Sequence, residues 1–167
     1  MTDTIFILQG GYQMPTKTAY RVAVLTASDK GAKGEREDVS GDLIHKTMKD
    51  EGYEVVASVL VPDERTEISG HLKRLSDFGD VDLILTTGGT GFSPRDFTPE
   101  ATKDVIDREV PGIPEAMRRR SMEITPRGML SRAAAGIRGR TLIVNLPGSP
   151  KAVAENLEVL LQSLEHA

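Results

Sequence analysis

The sequence predicts an α/β protein in three layers, with a mostly parallel central sheet and helices on both of its faces. Three observations predict it. Short apolar, β-branched runs alternate regularly with stretches of helical apolar spacing. The run VDLILTT at 81–87 is apolar on both faces, as a central parallel strand is. The unusual residue clusters all fall just past the ends of strand-like runs, where folds of this kind bind their ligands.

The elements follow in order. YRVAVLTAS at 20–28 reads as a buried strand, followed by the polar loop GAKGERED. Ser40 caps a helix whose face carries Leu43, Ile44 and Met48 and which Gly52 closes. YEVVASVLV at 53–61 is the second strand. PDERTE then turns into a helix with Ile68, Leu72 and Leu75 on one side. After the third strand, Thr98 as N-cap, Pro99 in the first helical position and Glu100 in the first turn begin another helix. Ala101, Val105 and Ile106 continue its apolar face up to Pro111. A helix at 113–124 carries Arg118, Arg119 and Arg120, read as a solvated face. TLIVNLP is a further strand. Ser149 and Pro150 start the last helix, striped by Val153, Leu157, Leu160, Leu161 and Leu164.

Bulk composition excludes several function classes. The 167 residues suit one domain, predicted at 20–167, with 1–19 an N-terminal extension, whether a tail or an added edge strand. Aromatic content of 4% without Trp argues against a stacking platform for single strands, and a net charge of −4 leaves no basic footprint for nucleic acid. The chain has no Cys, hence no disulfide, thiolate zinc site or Cys nucleophile. His45, His71 and His166 lie in helical stretches away from the glycine-rich loop. No apolar run approaches the length of a membrane span, and no signal peptide is read, so the expected location is cytoplasmic.

The candidate site is the loop TTGGTGFSPRDFTPE. Gly88, Gly89 and Gly91 allow close backbone approach, successive N–H groups form an anion nest, and Thr90 adds a hydroxyl. The spacing is neither a P-loop nor a dinucleotide fingerprint. Asp63 and Asp96 each follow a strand. Two carboxylates beside a polyphosphate call for a cation, and Mg²⁺ takes one or two carboxylates plus phosphate oxygens. Other readings stay open: Asp63 as a helix cap, Asp96 as a turn residue, Arg95 as a phosphate clamp or a solvated side chain. In NLPGSPKAV, Gly148 and Ser149 serve either as a helix start or as an anion pocket. Ser28, Asp29, Lys30 and Asp38 lie in a long polar loop suited to a lid or a substrate contact. With no G-x-S-x-G elbow and no Cys, the chemistry that fits is phosphoryl or nucleotidyl transfer, where the nucleophile is already an anion.

TTGGTGFSPRDFTPEAT, VPDE, MLSRAAAGIRG and NLPGSPKAV together closely resemble the MogA/MoaB family of molybdenum cofactor biosynthesis, from residue 20 to the end. The resemblance implies the family's three-layer fold and a molybdopterin adenylyltransferase. Such an enzyme binds ATP and Mg²⁺, attaches AMP to the terminal phosphate of molybdopterin and passes its product to a metal-inserting partner enzyme. It implies a homotrimer, or a hexamer as in some MoaB members. Matched by motif, Asp63 and Asp96 resemble the family's functional aspartates. Thr90, Ser131 and Asn145 resemble positions that contact substrate or nucleotide. The intact PRD and TPE look like the active MogA type. The alternatives are a non-catalytic MoaB-type carrier of molybdopterin and a nucleotide pyrophosphatase.

Overall fold

The structure is a computed structural model and describes residues 19–164 and 166. Of the extension at 1–19, only Ala19 is among them. Six strands form one sheet: β1 (Arg21–Ala27), β2 (Glu54–Val61), β3 (Leu83–Thr87), β4 (Arg108–Glu109), β5 (Ala135–Arg138) and β6 (Thr141–Leu146), in the order β2-β1-β3-β6-β5-β4. The pairs β1–β2, β1–β3 and β3–β6 are parallel, while β5 runs antiparallel to β6 and β4 antiparallel to β5. The helices are α1 (Asp29–Ala32), α2 (Val39–Asp50), α3 (Arg65–Phe78), α4 (Thr98–Lys103), α5 (Gly112–Ile124) and α6 (Pro150–Leu164), with a 3-10 turn at Pro126–Leu130.

The strand period of two sorts the side chains into two cores. Val22, Val24, Leu83, Leu85 and Val144 meet Ile44 and Met48 of α2, Met117 of α5, and Leu157 and Leu160 of α6. Ala23, Leu25, Ile84 and Ile143 meet Ile68 and Leu72 of α3 and Ala101 of α4. The side chains of Leu25, Ile84 and Ile143 are fully buried, each contributing about 1.5–3 kcal/mol by burial. The expected three layers are therefore present, and the helical stripes read from the sequence are the faces that pack.

Local differences have physical causes. Asp38, not Ser40, caps α2, its carboxylate accepting from Gly41 N at 2.9 Å. Ser40 lies inside the helix and donates to Gly148 O at 2.8 Å. Thr98 is the first helical residue rather than the cap, and Phe97 precedes it without a capping side chain. α4 stops at Lys103 instead of running to Pro111. Pairing with β5 takes the chain out of the helix: Asp107 N donates to Ile137 O and Val110 N to Ala135 O. The sheet edge thus outweighs the helical spacing of Val105 and Ile106. The polar loop after β1 is partly folded, Ser28 capping α1 through its Oγ and Gly31 N.

Asn145 is fully buried at the end of β6. Its Oδ1 accepts from Ala134 N at 3.1 Å, and its Nδ2 donates to Thr86 Oγ1 at 3.0 Å and Thr102 Oγ1 at 2.8 Å. It knits β6, β3, α4 and the approach to β5. Substitution Asn145→Ala strands these buried partners, and urea denaturation should show a loss of about 2–4 kcal/mol.

Candidate active site

The strand order reverses around β1: the chain moves to β2 on one side and to β3 on the other. A cleft of about 560 Å³ opens there, beyond the carboxyl ends of the parallel strands. Its wall includes Thr26, Ala27 and Ser28 after β1, Asp63 after β2, Thr87, Gly88, Gly89 and Asp96 around the glycine loop, and Gly148, Ser149 and Pro150 at the start of α6. Eight of the sequence-chosen residues meet in it: Ser28, Asp38, Asp63, Asp96, Gly88, Gly89, Gly148 and Ser149.

The glycines there are sterically required. Gly88 leaves β3 at φ +89°, and a Cβ would sit 2.2 Å from Ala27 O. Gly89 follows at φ +65°, where a Cβ would lie 2.4 Å from Thr98 Oγ1. The loop's carbonyls are taken: Thr98 N donates to Gly89 O at 3.2 Å, Arg132 N to Thr90 O at 3.0 Å and Arg132 Nε to Gly91 O at 2.6 Å. Gly148 lies against Gly88, and Thr87 Oγ1 donates to Pro147 O at 2.6 Å, so the loop and the N-terminus of α6 form one rim. Ser149 Oγ accepts from Ala152 N at 3.3 Å, as expected of a residue that starts the helix.

The carboxylates are held in a web of loops. Asp63 Oδ2 accepts from Asp29 N at 2.8 Å, and Asp63 N donates to Asp29 Oδ1 at 3.0 Å. Glu64, not Asp63, precedes α3, so the helix-cap reading of Asp63 does not hold. Arg95 is not a free clamp: although exposed, it is committed to neighbouring carboxylates. It grips Asp29 through Nε at 3.0 Å and Nη2 at 2.9 Å, and reaches Glu64 Oε1 at 2.7 Å. This pairing holds the Asp29 carboxyl below its ordinary range and keeps the Arg95 guanidinium charged. Asp96 Oδ2 accepts from Ser93 N at 2.9 Å, making it a turn residue that also faces the cleft.

Burial pushes the Asp63 carboxyl up, and the like charges of Asp29 and Asp96 push the same way. The hydrogen bond from Asp29 N and, more weakly, the charge of Arg95 offset this only in part. A cation beside Asp63 and Asp96 would relieve the strain. Among the described residues no group of three or more His, Cys, Asp or Glu could hold a metal by itself. Two carboxylates alone are the donor number that Mg²⁺ takes from protein when water and phosphate oxygens complete its shell.

The other expected residues lie elsewhere. Thr90, Gly91 and Ser131 line a second hollow of about 280 Å³ behind the loop, with Arg118, Arg127 and Pro147. Asn145 lines neither; it is buried beneath, its polar atoms paired, so a ligand-contact role fails on burial. Arg118 departs from its reading as a solvated side chain, donating to Ser131 O and Ala133 O at 3.3 and 3.1 Å. Two roles were not read from the sequence. Asp29, noted there only as part of a lid or substrate-contact loop, is the hub of the carboxylate web, and Arg132 bonds the backbone of the glycine loop. The one signal for Arg132 was its place as a lone charge in the small-residue run SRAAAG.

Fold and cleft define a doubly wound α/β protein with a crevice at its switch point. The family described as "Probable molybdopterin binding domain" matches residues 23–166. A molybdopterin adenylyltransferase of Helicobacter pylori J99 is 42% identical over 152 residues, covering 87% of this chain and 84% of that protein. The crystal structure of the molybdopterin biosynthesis enzyme MoaB of Thermus thermophilus is 52% identical with a TM-score of 0.83, covering 88% of this chain and 92% of the other. The tungsten cofactor synthesizing protein MoaB of Pyrococcus furiosus is 37% identical with a TM-score of 0.80, over 90% and 96% of the two chains. The chain belongs to the MogA/MoaB family. No helix among the described residues is long and apolar enough to cross a membrane.

The raised Asp63 carboxyl has a sign that can be tested. A carboxyl held above its ordinary value binds its proton more tightly in the folded state, so its ionisation opposes folding. Asp63→Asn, whose amide oxygen still accepts from Asp29 N, should melt no lower than wild type at pH 7. Any gain should vanish as the pH falls below the ordinary carboxyl value. Melting curves across acid and neutral pH check both points.

Proposed function

We propose that this protein is a molybdopterin adenylyltransferase, transferring AMP from ATP to the terminal phosphate of molybdopterin with release of pyrophosphate. One observation carries the reading: Asp63, Asp96, the glycine exit of β3 and the N-terminus of α6 share one cleft. The identity to the Helicobacter adenylyltransferase supports it.

In this reading an oxygen of the terminal phosphate attacks the α-phosphorus of ATP. The bond to the α–β bridging oxygen breaks, and pyrophosphate leaves with the electron pair. The attacking oxygen is already anionic, so no base is needed, in keeping with a cleft wall that has no His or Cys. Backbone N–H groups of 88–91 and the positive end of α6 at Ser149 hold phosphate oxygens. Asp63 and Asp96 hold Mg²⁺, which when bound neutralises charge on the phosphates. The second hollow, with Thr90, Gly91 and Ser131, receives part of the substrate pair on the other side of the loop. We also propose a cytoplasmic homotrimer, or a hexamer, that delivers adenylylated molybdopterin to a metal-inserting enzyme.

A second reading is a MoaB-type carrier that binds molybdopterin without consuming ATP; the 52% identity to the Thermus MoaB, itself described as a biosynthesis enzyme, does not separate it from the first. Incubation with molybdopterin, ATP and Mg²⁺ separates the two: adenylylated product and pyrophosphate support the transferase, while bound pterin with intact ATP supports the carrier. Chelation of the metal should stop product formation. Asp96→Asn keeps an oxygen for Ser93 N yet loses the charge, and AMP transfer should fall by about 100-fold or more with the melting temperature little changed. Normal transfer by that variant would remove Asp96 from the site.

A further inference from the structure

We propose that Arg132 is the positioning residue of this site: it fixes the glycine loop so that the cleft and the second hollow keep one register. The inference rests on the adenylyltransferase reading and names a device within that site. Gly88, Gly89 and Gly91 have no side chains with which to anchor the loop, and glycine backbone is soft. The anchor must come from outside, and Arg132 supplies it from four directions. Its main-chain N donates to Thr90 O at 3.0 Å, Nε to Gly91 O at 2.6 Å and Nη2 to Asp96 O at 2.6 Å, while Nη1 pairs with Glu100.

Those bonds set what the loop presents. The carbonyl and N–H of one trans peptide point in opposite directions. Holding the Thr90 and Gly91 carbonyls toward Arg132 therefore turns the N–H groups of Gly91 and Phe92 away from it. Holding the Asp96 carbonyl fixes the backbone that carries a cleft carboxylate. Gly88 and Gly89 line the cleft and Thr90 and Gly91 line the second hollow, so this loop is the wall between them. A planar guanidinium with donors in a fixed fork can span three acceptors, which a lysine ammonium cannot. The Glu100 carboxylate balances the charge, and Arg132 is the recorded partner of Glu100, whose Oε2 is buried with no partner among the described residues.

The test compares full-length wild type, Arg132→Ala and Arg132→Lys, each shown to be folded by its melting curve. With ATP, Mg²⁺ and molybdopterin, kcat per folded molecule should fall about 100-fold in Arg132→Ala, the scale of a misplacement of about 1 Å. Arg132→Lys should recover little of it, and a few millimolar guanidinium should restore activity to Arg132→Ala alone. Normal kcat in Arg132→Ala, full recovery by lysine, or no response to guanidinium would overturn the proposal, since a merely structural arginine alters melting and not this pattern. If wild type transfers no AMP, the reaction reading fails on its own. Amide exchange at 88–92 then decides the positioning claim: faster exchange in Arg132→Ala upholds it, and unchanged exchange ends it.

Discussion

The exit of β3 admits no side chain, and the site is built around that constraint. Gly88 turns at φ +89° against Ala27 O, and Gly89 at φ +65° against Thr98 Oγ1. Because no Cβ intervenes, the loop lies directly on β1, on α4 and on the Gly148 turn. The carboxyl ends of β1, β3 and β6 are thereby drawn to one rim, and the backbone of Gly88, Gly89 and Gly148 forms part of the cleft wall between them. A nest of N–H groups is suited to phosphate because it offers positive partial charge without a side chain that must be ordered first.

Charge is arranged to match. One arginine, Arg95, ties the loops after β1, β2 and β3 together through Asp29 and Glu64. It neutralises Asp29 and leaves Asp63 and Asp96 facing the cleft with like charge. The exposed ion pairs of this web contribute modestly to stability in water. Their larger effect is geometric, holding three loops in a fixed relation. On the proposed reading, a divalent cation between them would offset the like charge that Asp96 adds at Asp63.

Much of this was legible in the sequence. The four parallel strands and the stripes of α2, α3 and α6 follow from apolar period, which reports burial directly. The cleft's glycines and aspartates stood out because each followed a strand. What was hidden depended on partners distant in sequence. β5 is made of Ala135, Gly136, Ile137 and Arg138, too small and irregular to read as a strand without β6 beside it. Thr98 and Ser40 have the chemistry of caps but lie one or more residues inside their helices. A ligand contact at Asn145 was implied only by the likeness of NLPG to the family's motif, while its Thr86 and Thr102 partners bury it. Asp29 and Arg132 act on loops at least 34 residues away, a relation that no local pattern reports.

We propose that magnesium triphosphate sits on the bare exit of β3, between Asp63 and Asp96. The backbone amide spectrum of the isotope-labelled chain, titrated with ATP and Mg²⁺, addresses it residue by residue. The account predicts that the resonances of Gly88, Gly89 and Gly91 and those of Ala27 and Ser149 shift together and saturate with one affinity. Shifts gathered instead at the apolar groove of Tyr53, Val110 and Ile113, near the amino ends of the strands, with the glycine loop unmoved, would contradict it.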